Sequence, residues 1–305
     1  MASSSPPARP SPPLLALFGP TASGKTAVAG VLRDRLGADV ISADSAALYR
    51  DLPIITAAPD YPAQLVGTVP LTADVSVGEY QRWAHAAIDA AARPLLVGGT
   101  GLYFRAAVSA LELPPPAEPG RRAHWQAEYD RLGSAAAHEE LARVDPGAAA
   151  RVHANDRKRV VRALELAETG ASLAPEHDRL WTEELRAETV IVALDLPLDA
   201  LDDRIEERTL AMAAAGAREE ARRAWSSELS ATARKVLGLE QFATLPEHQA
   251  VAEVALATRR LARYQRKWLR RMPGVVTLPA DRSAEEVADE IVALASAGER
   301  LPRYR

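Results

Sequence analysis

The sequence contains no cysteine, and this absence excludes several chemistries at the outset. Disulfide bonds, thiol nucleophiles and zinc sites with cysteine ligands are all ruled out. Histidine is scarce as well: there are six, and no two have the spacing of a helical metal site. The chemistry of this protein must therefore come from oxygen and nitrogen groups other than these.

The first residues also lack a long apolar run. Residues 1–13 are mostly Ser, Pro and Ala, and the first apolar run, 14–18, is too short to cross a bilayer. We therefore expect a disordered tail over residues 1–13, no signal peptide and no membrane partner. With no cysteine either, the sequence predicts a cytoplasmic protein.

Positive charge is not in excess, since 37 Lys and Arg face 41 Asp and Glu for a net charge of -4. The chain is therefore not a basic nucleic-acid coat, and any nucleic-acid contact must come from local basic patches. The hydrophobic share, 48%, is ordinary for a globular protein. At 305 residues the chain can form one large domain or a core with an added subdomain.

Apolar segments with strand and helix periodicity alternate along the chain. Strands are predicted at 14–18, 39–43, 94–97, 189–194 and around Val275, and helices at 26–36, 77–92, 198–215, 247–270 and 283–296. Strands that alternate with helices favour a parallel sheet with right-handed crossovers. We interpret the acidic pairs Glu183-Glu184 and Glu219-Glu220 as solvated faces.

The pattern changes after the proline run 114–116. From there to about residue 185 only helical patterns occur, the clearest at 156–169 with Asn155 as a candidate N-cap. The sequence therefore predicts a discontinuous core, 14–115 and 186–298, that is interrupted by an all-helical insert, 116–185.

A phosphate-binding loop directly follows the first predicted strand and opens the first helix. Its residues fit the pattern G-x-x-x-x-G-K-[ST] at every fixed position: Gly19, Pro20, Thr21, Ala22, Ser23, Gly24, Lys25 and Thr26. Such a loop turns backbone N–H groups towards a phosphate, while its lysine adds a full charge and its hydroxyl is placed for Mg²⁺. The fold expected is therefore α/β, a P-loop NTPase-like parallel sheet flanked by helices.

Polar residues follow two further strands at the same predicted edge of the sheet. Asp44-Ser45 comes after the second strand and Gly98-Gly-Thr100-Gly101 after the third. Ligands of open parallel sheets bind at this edge. A carboxylate there either binds Mg²⁺, as in a kinase, or accepts a proton from a nucleophile, and the residues alone leave both roles open.

A basic segment near the end of the chain, 258–271, is the best candidate for contact with phosphate. Arg259, Arg263, Arg266 and Arg270 recur at intervals of three and four and share one helical face. Contact with RNA and an ordinary solvated face are both compatible with this pattern. A second, weaker patch is formed by residues 156–159 with Arg162.

These motifs together resemble the tRNA dimethylallyltransferases, also called tRNA isopentenyltransferases. The resemblance spans about residues 14–278. Besides the phosphate loop, it rests on the segments 41–45, 49–50, 96–103, 145–146, 155–159, 162–165, 204–208 and 265–268, with Met212, Gly216, Gly238, Thr258 and Arg259. Several motifs in the right order are far more specific than one loop.

The resemblance implies a reaction and a set of roles. The loop would hold the diphosphate of dimethylallyl diphosphate, with Mg²⁺ bound at Thr26. Asp44 would be the catalytic base that accepts a proton from the exocyclic amine of the adenosine 3′ to the tRNA anticodon. Thr100 would form a hydrogen bond at the reaction centre, and Arg208, also counted as catalytic, would help to hold the diphosphate. The residues implied in tRNA binding are Ser45, Tyr49, Asn155, Asp156, Arg159, Arg162, Arg259, Arg263, Gln265 and Arg266, and the insert would clamp the anticodon arm.

The sequence departs from the family pattern in places. The family usually continues after the Tyr-Arg segment with Ile-Gly-Thr-Ala-Lys-Pro, where this chain has residues 55–59, Ile-Thr-Ala-Ala-Pro. Ala47 replaces a common Gln, and Tyr264 replaces a usual basic residue. These changes bear on the choice of tRNA more than on the chemistry.

Three other functions remain as alternatives. A transferase of the same build could prenylate free AMP or ADP, although the insert and the basic segment are not needed for that acceptor. A P-loop small-molecule kinase would turn over ATP without a prenyl donor. A silent RNA-binding protein would not need its full set of chemical residues. We expect the active protein to be a monomer.

Overall fold

The structure is a computed structural model that describes residues 13–115, 120–174 and 179–296. The described chain divides into two compact units. One unit contains the described residues up to Ala110 and from Glu183 onwards, and the other contains those within Leu111–Thr182. Residues 1–12 of the predicted tail lie outside the described residues, as do the predicted end of the core at 297–298 and the insert segments 116–119 and 175–178.

The first unit is built on a parallel sheet of five strands. They are β1 (Leu14–Phe18), β2 (Asp39–Ser42), β3 (Pro94–Gly98), β4 (Thr189–Asp195) and β5 (Val275–Pro279). Their order across the sheet is β2-β3-β1-β4-β5, and every neighbouring pair is parallel. The predicted α/β fold class is thus confirmed.

Helices make up most of the rest of the described chain. In chain order they are α1 (Lys25–Leu36), α2 (Pro53–Thr56), α3 (Val77–Ala90), α4 (Gly101–Val108), α5 (Arg121–Leu132), α6 (Ser134–Val144), α7 (Pro146–Ala149), α8 (Arg157–Ala167), α9 (Leu198–Ala214), α10 (Ala217–Trp225), α11 (Leu239–Thr244), α12 (Glu247–Leu269) and α13 (Ala284–Ser296). Short single turns of 3₁₀ helix lie at Arg179–Trp181 and Ala233–Lys235.

The sheet is buried on both faces because successive side chains of a strand point to opposite sides. Phe18 and its alternate neighbours on β1 pack into a cluster with residues of α3, α4, α10, α11 and α12. Leu15 and Leu17 pack on the other face with residues of α1 and α13, such as Leu32 and Ile291. The helices on both faces hold the strands in place, so the edge at the C-terminal ends of the strands is a rigid base for a site.

The second unit contains only helices among its described residues, with a core around Tyr129, Leu141 and Leu164. The prediction that Asn155 caps its clearest helix was wrong. Asp156 is the N-cap of α8, and its side chain accepts a hydrogen bond from the backbone N–H of Arg159. The carboxylate one residue later occupies the capping position, so α8 begins at Arg157.

The interpretation of Glu219-Glu220 as a solvated pair was wrong for one member. Glu219 is exposed, but Glu220 is 2% exposed and faces the core from α10. The short helices α2, α10 and α11 were not predicted, because segments of four to nine residues carry too few turns for a clear periodicity. The carboxylate of Glu220 reaches one of these helices, α2.

Gly98 at the end of β3 provides a test of how tightly this edge is packed. A Cβ atom there would lie 2.3 Å from the carbonyl oxygen of Ala43. We expect Gly98→Ala to lower the free energy of unfolding by roughly 1–3 kcal/mol, the usual cost of overpacking. Urea denaturation measures it. Gly78→Ala, in an open position on α3, is the control and should not destabilise. Equal midpoints for the two variants would contradict the packing argument.

Candidate active site

The phosphate loop lies between β1 and α1, at the C-terminal ends of the parallel strands. Its last glycine, Gly24, is the N-cap of α1 and has a left-handed backbone (φ 91°), which a side chain would strain. Ala22 adopts the same region (φ 64°) without being glycine. This conformation directs the loop backbone around the start of α1, where N–H groups have no partners within the helix.

Lys25 folds back over the loop. Its Nζ donates a hydrogen bond to the carbonyl oxygen of Pro20 at 2.6 Å. Burial lowers the pKa of Lys25 to about 7, Asp44 counteracts this shift, and the charge of Arg208 adds to it. A lysine in this state holds its proton weakly until an anion arrives.

Two side chains from distant helices hold Thr21 of the loop. Arg208 on α9 donates from Nη1 to the Thr21 hydroxyl at 2.9 Å, and burial lowers the pKa of its guanidinium. Gln265 on α12 accepts from the Thr21 N–H at 2.8 Å and is only 5% exposed. The amide of Gln265 also lies against Gly99, where a Cβ would be 2.6 Å from its nitrogen.

Asp44 and Thr100 stand at the ends of β2 and β3. One carboxylate oxygen of Asp44 accepts from the N–H of Ala46 at 2.9 Å, which orients the side chain. The Thr100 hydroxyl oxygen accepts from the N–H of Ser45 at 3.2 Å and lies 3.4 Å from the Ser45 hydroxyl. The backbone of residues 44–46 therefore positions both the Asp44 carboxylate and the Thr100 hydroxyl.

One cavity of about 90 Å³ connects the loop with Asp44. Its polar lining comes from Thr21, Lys25, Thr26, Ser42, Asp44, Thr56, Tyr61, Arg208 and Gln265. Small or apolar side chains line the rest, among them Ala47, Ala57, Ala63, Val66 and Val97. The cavity therefore offers cations and hydroxyls to an anion and an apolar wall to a hydrocarbon.

The family follows from comparison with known proteins. The family model described as IPP transferase matches residues 47–272, about three quarters of the chain. The chain belongs to the IPP transferase family. It is 38% identical to the tRNA dimethylallyltransferase of Acidothermus cellulolyticus, over 90% of this chain and 91% of that one. It is 40% identical to that of Salinispora tropica, over 87% and 88%.

Solved structures agree on the fold. The full-length tRNA isopentenylpyrophosphate transferase of Bacillus halodurans is 27% identical, with a TM-score of 0.66 over 96% of this chain and 99% of that one. A eukaryotic dimethylallyltransferase is 19% identical and shares the fold, with a TM-score of 0.76 over 97% and 82%. The predicted resemblance is thus confirmed.

A pair of aromatic residues adjoins the candidate site of this IPP transferase, and one of them, Tyr80, was not singled out in the sequence. Tyr80 donates from its hydroxyl to the carbonyl oxygen of Ser42 at 3.0 Å, and its ring stacks on that of Tyr103 with centroids 4.2 Å apart. Burial raises the pKa of Tyr80 well above its usual value, with smaller contributions from Tyr103 and Asp44. The Tyr80 hydroxyl thus holds the end of β2, two residues before Asp44.

Tyr61 is a second residue that was missed. Its hydroxyl donates to the carbonyl oxygen of Thr26 at 2.9 Å, and its ring lines the cavity. The pKa of Tyr61 rises to about 12, chiefly through burial. It lies two residues after the departing segment 55–59 and in none of the matched motifs, so no motif pointed to it.

The basic face of α12 is largely neutralised within the fold. Arg259 pairs with Glu206 at 2.7 Å, Arg263 with Asp202 at 2.7 Å and Arg266 with Asp195 at 2.8 Å. Arg260, Lys267 and Arg270 are exposed and form no ion pair with any residue that the structure describes. Of the four arginines that periodicity favoured, three are therefore paired within the fold, and only Arg270 is available to an external anion together with Arg260 and Lys267.

Other residues predicted to bind tRNA take up varied positions. Tyr49 is 4% exposed. Its hydroxyl donates to the carbonyl oxygen of Ala73 and contacts the hydroxyl of Thr232, so its ring is not open to stacking on a base. In the second unit Asn155, Asp156 and Arg159 are exposed. Arg162 is half-buried, donates to the carbonyl of Pro115 and pairs with Glu165 at 3.1 Å. Contact with tRNA stays a prediction for all of them.

The low pKa of Lys25 leads to a test with inorganic diphosphate. The protonated form attracts phosphate, and its population in the ligand-free protein falls as the pH rises through 7. We expect the affinity advantage of the wild type over Lys25→Met to shrink by about tenfold between about pH 6 and about pH 8.5. Calorimetric titration at each pH measures both proteins, so the titration of diphosphate itself cancels. An advantage that stays constant with pH would contradict the assignment.

Proposed function

We propose that the protein transfers the dimethylallyl group of dimethylallyl diphosphate to the exocyclic amine of the adenosine immediately 3′ to the anticodon in tRNA. The observation that carries this proposal is the single cavity in which Lys25, Arg208 and Asp44 face a wall of small apolar side chains. Membership of the IPP transferase family supports both the prenyl donor and the tRNA acceptor.

The loop and its cations account for binding of the donor and departure of diphosphate. Backbone N–H groups at the start of α1 with Lys25 and Arg208 would surround the diphosphate. As the C–O bond to the prenyl carbon breaks, negative charge grows on the leaving oxygen, and both cations stabilise it. Diphosphate takes the place of the Pro20 carbonyl and the Thr21 hydroxyl as their partner.

Asp44 is placed to act on the other side of the transfer. The C–N bond forms between the adenine amine and the prenyl carbon, and the amine loses one proton as it forms. An aromatic amine is a weak nucleophile, so a carboxylate that accepts this proton lowers the barrier. The Thr100 hydroxyl, held by the N–H of Ser45, would orient the amine. The adenine must leave its stack to reach this position.

The residues present fit a magnesium ion that is held mainly by the donor. Among the described residues there is no group of three or more acidic or histidine side chains that would bind a metal alone. Thr26 has an exposed hydroxyl at the cavity, and Mg²⁺ commonly binds to one or two protein oxygens plus phosphates. When bound, the ion would neutralise part of the diphosphate charge.

A cytoplasmic monomer remains our expectation, and no helix among the described residues is long and apolar enough to cross a membrane.

The direct test of the proposed reaction is a transfer assay with Mg²⁺ and labelled dimethylallyl diphosphate, in which unmodified tRNA, AMP and ADP are compared as acceptors. Label in tRNA alone is the expected result. Label in AMP or ADP, or ATP turnover without prenyl transfer, would favour the alternative transferase or the kinase.

Asp44→Asn tests the assignment of the base. The amide keeps the oxygen that accepts from Ala46 but cannot accept the proton, so we expect the rate of transfer to fall at least about 100-fold. The dissociation constant for tRNA should stay within about twofold, because binding energy on RNA comes chiefly from phosphate contacts elsewhere. Single-turnover assays and filter binding measure the two quantities. Equal losses of transfer and of binding would count against Asp44 as the base.

A pair of neighbouring arginines on α12 tests which cations contact tRNA. Arg260 is exposed and unpaired among the described residues, whereas Arg259 is held by Glu206. We expect Arg260→Ala to weaken tRNA binding and to reduce the slope of affinity against salt by about 1, while Arg259→Ala has the smaller effect. Binding titrations across salt concentrations give both slopes, and a larger effect at Arg259 would reverse the interpretation.

A further inference from the structure

Glu220 makes an unusual pair of contacts for a residue outside the site. Its carboxylate accepts from the backbone N–H of Ile54 at 3.0 Å and from that of Ile55 at 2.8 Å, one oxygen for each. These groups belong to the first turn of α2, more than 160 residues away in the chain. Leu52, the N-cap of α2, has no side-chain acceptor to offer them. A carboxylate from α10 therefore does the work of a capping residue.

The burial of Glu220 makes these two contacts its essential partners. The residue is 2% exposed, and a buried carboxylate is costly unless it is fully hydrogen-bonded. Burial of α10 itself needs only the apolar residues around it, such as Ala217, Ala221 and Ala224. What requires a carboxylate at this point is the pair of N–H groups on α2.

The other end of α2 leads straight into the active-site cavity. Thr56, its last residue, and Ala57, which follows it in a left-handed conformation (φ 47°), both line the cavity. The chain continues along the cavity through Pro59 to Tyr61, whose hydroxyl binds the carbonyl of Thr26. We call residues 53–66 the strap. It is attached to α10 through Glu220 and to the phosphate-loop helix through Tyr61.

We propose that Glu220 is a positioning residue that sets the apolar wall of the donor site by fixing the start of the strap. This inference rests on the proposed function, because it assigns the wall to the dimethylallyl donor. The strap presents small side chains to the cavity, and its distance from Lys25 and Asp44 decides how closely a hydrocarbon group is enclosed. The residue acts through α2 and does not touch the reactants.

The test separates a donor effect from general damage. Glu220→Gln keeps the size of the side chain and one acceptor oxygen but places an NH₂ group against the second N–H. We expect the KM for dimethylallyl diphosphate to rise about tenfold while the KM for tRNA stays within about twofold, in line with the loss of one charged hydrogen bond. Glu219→Gln, the same change at the exposed neighbouring residue, is the matched control and should leave both values unchanged.

Hydrogen exchange of the ligand-free protein provides a readout that does not depend on activity. In Glu220→Gln, amides of the strap should exchange about tenfold faster or more, whereas amides of the β1 strand should not change. Glu220→Asp, which retains the charge but shortens its reach, should show the same selective pattern if the first variant folds poorly. Unchanged strap exchange, or equal rises of both KM values, would overturn the inference. A wild-type protein that transfers no prenyl group would instead refute the proposed function and leave the exchange result to judge the strap.

Discussion

Parallel pairing of the strands is the constraint on which the site depends. Because β1 pairs with β3 and β3 with β2, all in parallel, their C-terminal ends meet at one edge of the sheet. The phosphate loop, Thr100 and Asp44 each follow one of these three strands. A shift in register of one residue would turn the strand side chains to the opposite face and displace all three groups together. The close contact of Gly98 with Ala43 helps to hold this register, since any side chain at Gly98 would collide with the neighbouring backbone.

Two desolvated positive charges, those of Lys25 and Arg208, lie at the site where a diphosphate would neutralise them. Lys25 and Arg208 are both desolvated and repel each other, and Asp44 compensates only in part. Their hydrogen bonds to Pro20 and Thr21 are neutral substitutes for bonds to an anion. A phosphate oxygen carries the negative charge that these neutral partners lack, so exchange of the partners adds attraction between opposite charges in a desolvated site and favours binding. The same cations remain in place as the leaving group gains charge.

Local patterns in the sequence predicted this site well where the chemistry follows directly on a strand. The loop, Asp44 and Thr100 stand at strand ends, and strand ends can be read from apolar runs and glycines. Tyr61 and Glu220 could not be found in that way, and Gln265, predicted to bind tRNA, is buried against Thr21 of the loop. Each depends on contacts between residues distant in the chain, and only the tertiary fold brings a carboxylate on α10 to the start of α2. The acidic pair 219–220 looks solvated in sequence because periodicity does not reveal which face of a short helix is buried.

The same limit explains the basic helix. Spacing placed four arginines on one face, but Arg259 and Arg263 pair with Glu206 and Asp202 of α9, Arg266 pairs with Asp195 of β4, and only Arg270, just past the end of α12, is unpaired among the described residues. Most of the regularly spaced cations therefore tie α12 to α9 and β4 within the fold. RNA backbone binding needs charges that are free to replace counterions, and on α12 such charges lie on the adjacent exposed face with Arg260 and Lys267. The distinction between a structural and a binding arginine thus depends on the partner helix, which no pattern within α12 contains.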